Sequence, residues 1–371
     1  MTWKYEDIDS VNIEISSLCN AICAWCPRYE DMSNVVNKQL TQTYVTVDQF
    51  KEWFPPDFVS RIKTWIYSGD YGDAGTNPDL PEIFRYTFKH NPEASVQVNT
   101  NGGMRNPKFW AEMGEIFSET EQRKVIFSID GLEDTNHIYR RNVNWQKVMD
   151  NVDAYMGAGG TAIWDFLVFK HNEHQVRDAI LMSKELGFSD INIKLPKGFE
   201  GGNMKVKDKD FNIIYEIEPI DTSHFNLAYP KLNGLKAEDV DYETVRDSIE
   251  NHFSKEEGKI SCFSKRSGVE IRITADGVVY PCVHFGHLSQ YPRENLQVPK
   301  TQMIDIFKDK EINLHKKSLE EILSTDPFKW VYDSWKKKTC MLCWLSCGHN
   351  DNKETVMQEI FQREGMIHGT S

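Results

Sequence analysis

Eight cysteines fall in tight groups, Cys19, Cys23 and Cys26 near the start and Cys262, Cys282, Cys340, Cys343 and Cys347 near the end, with none between Cys26 and Cys262. The first group reads Cys19-Asn-Ala-Ile-Cys23-Ala-Trp-Cys26, a C-x3-C-x2-C spacing. Three thiolates within one short loop can grip one face of an iron–sulfur cluster. A cubane has four irons, so three cysteines leave one iron without a protein ligand. An open metal position is what a catalytic site keeps and a structural site closes. Zinc is the alternative; it needs a fourth donor from elsewhere, because no His or Cys follows within about sixty residues. The second group reads Cys262-x14-Gly277-x4-Cys282, then Cys340-x2-Cys343-x3-Cys347. Four thiolates close a cluster, so five provide one closed cluster and a spare; a zinc ribbon with Cys340 and Cys343 as one knuckle is the competing reading.

Such cysteines need a scaffold, and the first two hundred residues read as alternating strands and helices. Short β-branched and aromatic runs at Val11–Ser17, Thr64–Gly69, Ser95–Thr100, Lys124–Ile129, Ala162–Phe169 and Ile191–Leu195 predict strands. Their near-continuous apolar character suggests a parallel sheet covered on both faces. Helical patterns lie between them: Asp79–Lys89, with a plausible N-cap and an early proline, then Pro107–Phe117, Trp145–Met156 and Val176–Leu186, the last stopped by Gly187. Alternation of this kind predicts a parallel α/β fold with right-handed crossovers, and leaves open whether the sheet is flat or a partial barrel. From 198 to 259 the pattern weakens into an irregular connector, with Lys205–Lys209 read as a solvated basic loop. Val269–Thr274, a turn at Ala275-Asp-Gly277 and Val278–Tyr280 predict a β-hairpin.

The chain has 371 residues, with 43 Lys+Arg against 56 Asp+Glu and a formal charge of −13. Hydrophobic residues make up 40%, which excludes wholesale disorder, and the acidic balance argues against a nucleic-acid or polybasic membrane binder. No secretory signal follows MTWKYEDIDS and no apolar run is long enough to span a membrane, so a cytoplasmic protein is expected, in keeping with grouped cysteines that read as metal or redox sites. Asp165 and Lys194 interrupt apolar strands. A charge there either faces a polar cavity, as a substrate contact or general base, or is an ordinary buried pair or an edge position.

The cysteine loop after the first predicted strand resembles that of the radical S-adenosylmethionine (SAM) superfamily. Further matches follow in order at predicted strand ends: Tyr67-Ser68-Gly69-Asp70 for the family's Gly-Gly-Glu motif, Asn99-Thr100-Asn101-Gly102 for its Thr-Asn-Gly segment, and Ser128-Ile129-Asp130-Gly131 for a Ser-x-Asp-Gly segment. The resemblance implies a [4Fe-4S] cluster on Cys19, Cys23 and Cys26 whose open iron chelates SAM. It implies Trp25 against the cofactor, Ser68, Gly69 and Asp70 at the methionine amino group, Asn101, Ser128 and Asp130 as further cofactor contacts, and Arg140 or Arg141 at the carboxylate. The late cysteines resemble the auxiliary-cluster domain of the SPASM/twitch subfamily. A full SPASM domain has seven, so a shortened twitch-like domain with one auxiliary [4Fe-4S] cluster is implied, on Cys262, Cys282, Cys340 and Cys343, with Cys347 as a substitute or a proton donor.

The organisation expected from these readings is a partial (β/α)6 TIM-like barrel over 1–200, a connector over 201–259, a twitch/SPASM-like domain with a β-hairpin over 260–350, and a tail over 351–371. The implied activity is reductive cleavage of SAM to a 5′-deoxyadenosyl radical that takes a hydrogen atom from a peptide or protein, giving oxidation, a crosslink or epimerisation. The alternative within the class is dehydrogenation of a small carbohydrate-like alcohol. Flavodoxin or ferredoxin is the implied reductant. From another class, the zinc readings allow a non-catalytic, zinc-stabilised binding module; Asp165, Lys194 and Cys347 remain the candidate catalytic groups for the enzyme.

Overall fold

The computed structural model describes residues 3–196, 198–199, 202–220, 259–260, 262, 268–290, 307, 311–337, 343 and 347–349. Six parallel strands run through its N-terminal part: β1 (Ser10–Ile13), β3 (Thr64–Tyr67), β4 (Ser95–Thr100), β5 (Arg123–Ser128), β7 (Thr161–Leu167) and β8 (Asp190–Lys194). They neighbour one another in chain order. A doubly wound sheet reverses its strand order at a switch point; this one does not, so successive crossovers stack on one face, the winding of a partial barrel.

The covering helices include α1 (Val47–Trp53), α2 (Pro56–Val59), α3 (Leu80–His90), α4 (Pro107–Phe117), α6 (Trp145–Gly157) and α7 (Val176–Leu186). Their ends follow sequence signals. Asn106 accepts from the Phe109 amide and Asn144 from the Lys147 amide, and Gly187 closes α7 in the left-handed region at φ 88°. Asp79 precedes α3 as expected, but its carboxylate caps no amide there; it accepts from the Val47 amide at the start of α1. The core lies between helices and sheet. Val11, Trp65, Val98, Phe127 and Trp164 from the strands meet Phe84, Trp110, Phe117 and Tyr155 from the helices. The buried indoles of Trp110 and Trp164 donate to the carbonyls of Met104 and Ile129, which removes most of the cost of burying a polar N–H.

The opposite face differs from the expectation of a sheet covered on both sides. Along β4, β5 and β7 buried residues alternate with half-buried ones for most of their length. The inward row carries Gln97, Asn99, Ser128, Asp165, Asn192 and Lys194. Apolar runs hid this period of two because inward isoleucines, such as Ile163, stand among the polar residues.

Two further departures concern the later chain. Residues 204–217 are no irregular connector: β9 (Met204–Lys207) and β10 (Ile213–Ile217) form an antiparallel hairpin. Met204 and Val206 are buried while Lys205 points to solvent, so the basic run is the outer row of a strand. The hairpin packs on Ala24, Tyr139 and Phe169, and so backs the cysteine loop. The second hairpin forms as expected, from β12 (Glu270–Ile273) and β13 (Val279–Tyr280), with Gly277 at φ 82° in its turn. It does not stand apart. β12 pairs in parallel with β1, Ser10 opposite Glu270 and Ile13 opposite Ile273, and extends the barrel sheet to eight strands. The Cys282 segment then continues into α8 (Val283–Gln290). The tail 351–371 and most of the connector lie outside the described residues. Among those residues no helix is long and apolar enough to cross a membrane.

Candidate metal and cofactor centre

The cysteine loop leaves the carboxyl end of β1 and is held by a short antiparallel pairing. β2 (Ile22–Cys23) lies against β6 (Arg140–Arg141), with Cys23 opposite Arg140 and Ile22 opposite Arg141. The Ala24 amide donates to the Tyr139 carbonyl and the Cys26 amide to that of Cys23. The two arginines divide their work. Arg141 is spent on backbone, donating to the carbonyls of Ile22, Ser33 and Lys207. Arg140 turns toward the thiols: its Nη1 stands 3.7 Å from Cys23 Sγ, and its Nε is 2.7 Å from Asp130 Oδ2. Of the pair left open by sequence, Arg140 faces the site.

A matching arrangement serves Cys19. Asn101 Nδ2 stands 3.7 Å from Cys19 Sγ and donates to Asn20 and, at 2.7 Å, to Asp73 Oδ2. The Ala21 amide also donates to Cys19, at 3.4 Å. Asp73 is fully enclosed by donors: the amides of Gly75 and Asn101, and the Thr100 hydroxyl at 2.8 Å. Thus a buried carboxylate stands behind each side-chain donor, Asp73 behind Asn101 and Asp130 behind Arg140. Burial raises the carboxyl pKa at both, opposed at Asp73 by its hydrogen bonds and at Asp130 by the Arg140 charge. Sequence reading passed over Asp73. The signal was present as Gly72-Asp73, a second Gly-Asp pair three residues beyond Gly69-Asp70. It is the second pair that packs on the cysteine loop: a side chain at Gly72 would lie 2.0 Å from the Ser16 carbonyl oxygen, and the Asp73 amide donates to Leu18.

Asp70 is engaged elsewhere. Its carboxylate lies 2.7 Å from Arg272 of β12, which also donates to Asn12 Oδ1 at 2.5 Å and to Ser68 Oγ. Ser68 Oγ donates to Asn12 in turn. Glu14, just past β1, accepts from the amides of Tyr71 and Gly72, and its other oxygen is 3.7 Å from Arg272. Burial pushes the Glu14 carboxyl up to about 7, against the pull of Arg272. Gly69 packs under the Gly72 carbonyl. Trp25 lies in the apolar cluster behind the loop, its ring filling the space a side chain at Gly198 would need. Ser128 sits opposite Asp165 on the inner face. Asp165 accepts from Asn192 at 2.8 Å and pairs with Lys194 Nζ at 2.5 Å, at the carboxyl ends of β7 and β8. The pair is partly open, with the Lys194 side chain 42% exposed, so it is not the ordinary buried pair, and Lys194 stands on β8, the edge strand of the sheet.

The chemistry of this donor set suits thiolate-bound iron. Burial pushes all three thiols up, Cys26 to about 12, reinforced at Cys19 and Cys26 by neighbouring negative groups and opposed at Cys23 by Arg140. A cationic centre reverses that preference, and N–H groups aimed at sulfur are the contacts that tune a bound cluster. Among the described residues no three His, Cys, Asp or Glu side chains are gathered to hold a single metal ion. Of the late cysteines, Cys282, Cys343 and Cys347 are buried, and burial pushes the Cys282 thiol up to about 12, with Cys262 and Cys347 close enough to add to it. Cys340 lies outside the described residues.

Residues 13–188 match the Radical SAM superfamily. No curated protein matches the chain in sequence. Among solved structures, Streptococcus suis SuiB bound to S-adenosylmethionine is similar with a TM-score of 0.52 at 14% identity, over 91% of this chain and 71% of that one. SuiB bound to precursor peptide SuiA gives 0.52 and 14%, over 91% and 70%. Native anSMEcpe with bound AdoMet gives 0.50 and 15%, over 96% and 97%. At these identities the likeness is one of fold.

Proposed function

We propose that this protein is a radical SAM enzyme that abstracts a hydrogen atom from a peptide or protein side chain, with oxidation, crosslinking or epimerisation as the outcome. The observation that carries the reading is the cysteine loop itself: three thiols at the barrel's carboxyl end, with Asn101 and Arg140 aimed at Cys19 and Cys23. The superfamily match over residues 13–188 favours an enzyme over the zinc-stabilised, non-catalytic alternative. When bound, a [4Fe-4S] cluster on Cys19, Cys23 and Cys26 with SAM supplies a 5′-deoxyadenosyl radical.

The chain's own residues do the rest. Arg140 and Asn101 stabilise the thiolate form of their cysteines. Ser68 to Asp73, Asn101, Ser128 and Asp130 frame the SAM side of the site. The inward row of polar side chains orients the substrate, and Asp165 with Lys194 presents an acceptor and a donor to it at the rim. Asp165 Oδ2 accepts a hydrogen bond from Lys194 Nζ, which gives a path along which a proton can be passed. Support for a peptide comes from the fold shared with SuiB, which has been solved with a precursor peptide. The second reading, a small hydroxyl-rich molecule, is favoured by the hydrogen-bonding character of the inner face. Cys262, Cys282, Cys340 and Cys343 remain our preferred set for an auxiliary [4Fe-4S] cluster, with Cys347 as a substitute; Cys262 and Cys347 lie close enough to act on the Cys282 thiol. Flavodoxin or ferredoxin fits as reductant, and the cytoplasm as compartment.

The test uses anaerobically purified protein. Iron and sulfide near two cubanes' worth and release of 5′-deoxyadenosine on adding SAM and dithionite are expected. Replacing Cys19, Cys23 and Cys26 together by Ala should abolish release and leave the C-terminal iron in place. Undiminished release from that variant would overturn the assignment.

A further inference from the structure

A buried charge network joins the barrel strands to the segment that carries Cys282, and Arg272 is its hub. Arg272 belongs to β12, ten positions before Cys282, yet its side chain is spent on the other half of the chain. It is 1% exposed and bonds or pairs with Asn12, Glu14, Ser68 and Asp70. On its far side lies Gly286 of α8, where an added Cβ would stand 3.4 Å from Arg272 Cγ.

These partners are not scattered. Ser68 and Asp70 belong to the loop after β3, and Glu14 holds the amides of Tyr71 and Gly72 in the same loop. Arg272 therefore fixes residues 68 to 72 by two bonded side chains and, through Glu14, by two backbone amides. Asp73 follows immediately and grips Asn101, whose amide group reaches Cys19. A guanidinium suits this hub because its planar fork serves several acceptors at once, which an ammonium cannot match.

We propose that Arg272 is a positioning residue through which the Cys282 segment sets the geometry of the 68–73 loop, and so the affinity for SAM. This rests on the functional reading above. Among the described residues Arg272 hydrogen-bonds or pairs with Asn12, Glu14, Ser68 and Asp70 rather than with a thiol, so it acts through Asp70 and Glu14. A buried charge cannot be removed singly without stranding its partners, so a purely structural role would also make Arg272 costly to lose. The two roles separate when the buried charges are removed together.

The experiment measures binding of radiolabelled SAM to the full-length, anaerobically reconstituted protein, with iron counted in every sample. Two variants are compared with wild type: Arg272→Lys, which keeps the charge and loses the fork, and Arg272→Met combined with Glu14→Gln, which removes the guanidinium together with the fully buried acid it faces and leaves only Asp70, whose side chain is 23% exposed and can turn to solvent. About tenfold weaker SAM binding is expected in both, a coupling of ordinary size. Iron content and the melting temperature of the paired variant should stay near wild type. Wild-type affinity in the paired variant would overturn the role of Arg272. Failure of the wild-type protein itself to bind SAM would overturn the functional reading instead.

Discussion

Glu14 shows at the scale of one residue how burial turns into pH dependence. Its carboxyl sits near 7 in the fold against an ordinary value of 4.5. Between those values the folded chain holds a proton that the unfolded chain has lost. Linkage then makes this residue's contribution to stability fall as pH rises from about 4.5 to about 7 and level off above. Glu14→Gln should remove that fall; equal slopes of unfolding free energy against pH in wild type and variant would contradict the account. At this scale sequence reading was uneven. That Cys19, Cys23 and Cys26 share one loop was legible from spacing alone. Arg140 was narrowed only to a pair, because neighbouring residues on a strand point to opposite faces and the sequence does not show which faces the thiols. Asp73 was missed because its partners, Thr100 and Asn101, are distant in sequence, and Asp70 was preferred although a long-range partner, Arg272, occupies it.

Elements were read better than their faces. The six barrel strands and the four longer helices between them match the predicted segments to within a few residues, since they rest on local periodicity and end signals. The 204–217 hairpin was hidden, as a lysine-rich strand buries only alternate residues and its turn has no Asn-Gly or Asp-Gly pair. Close packing between elements gives a sharp test. Gly114 of α4 lies so near α6 that a Cβ would stand 2.2 Å from the Tyr155 carbonyl oxygen, whereas one at Gly157 would meet nothing within 4 Å. Gly114→Ala should force the helices apart and cost about 1–3 kcal/mol. Gly157→Ala should be neutral or stabilise by up to about 1 kcal/mol. Chemical denaturation of both would reveal the contrast, and similar effects would show that the helix contact adapts.

For the whole molecule, the sequence suggested a barrel and a separate C-terminal unit, and strand pairing joins them. Pairing between positions 10 and 270 leaves no local trace, because register is set by the partner strand. A chain ending at residue 259 would lose β12, leaving β1 with an open edge and Glu14 without Arg272. We expect it to be less stable by about 3–5 kcal/mol, the usual cost of breaking a buried pair, and to self-associate through the edge. Sedimentation and urea unfolding of the shortened chain would check this; a monomer of full stability would show the barrel to be autonomous.

The placement of β12 also sets an order of events during synthesis. The strand that leads into the cysteine loop leaves the ribosome early, but Asn12 meets Arg272 only after 260 further residues have been made. Long-range pairing of this kind is slow to form and leaves its partner exposed in the meantime. Until then the thiols sit on an unfinished edge, so iron delivery is best matched to a released polypeptide rather than a nascent one.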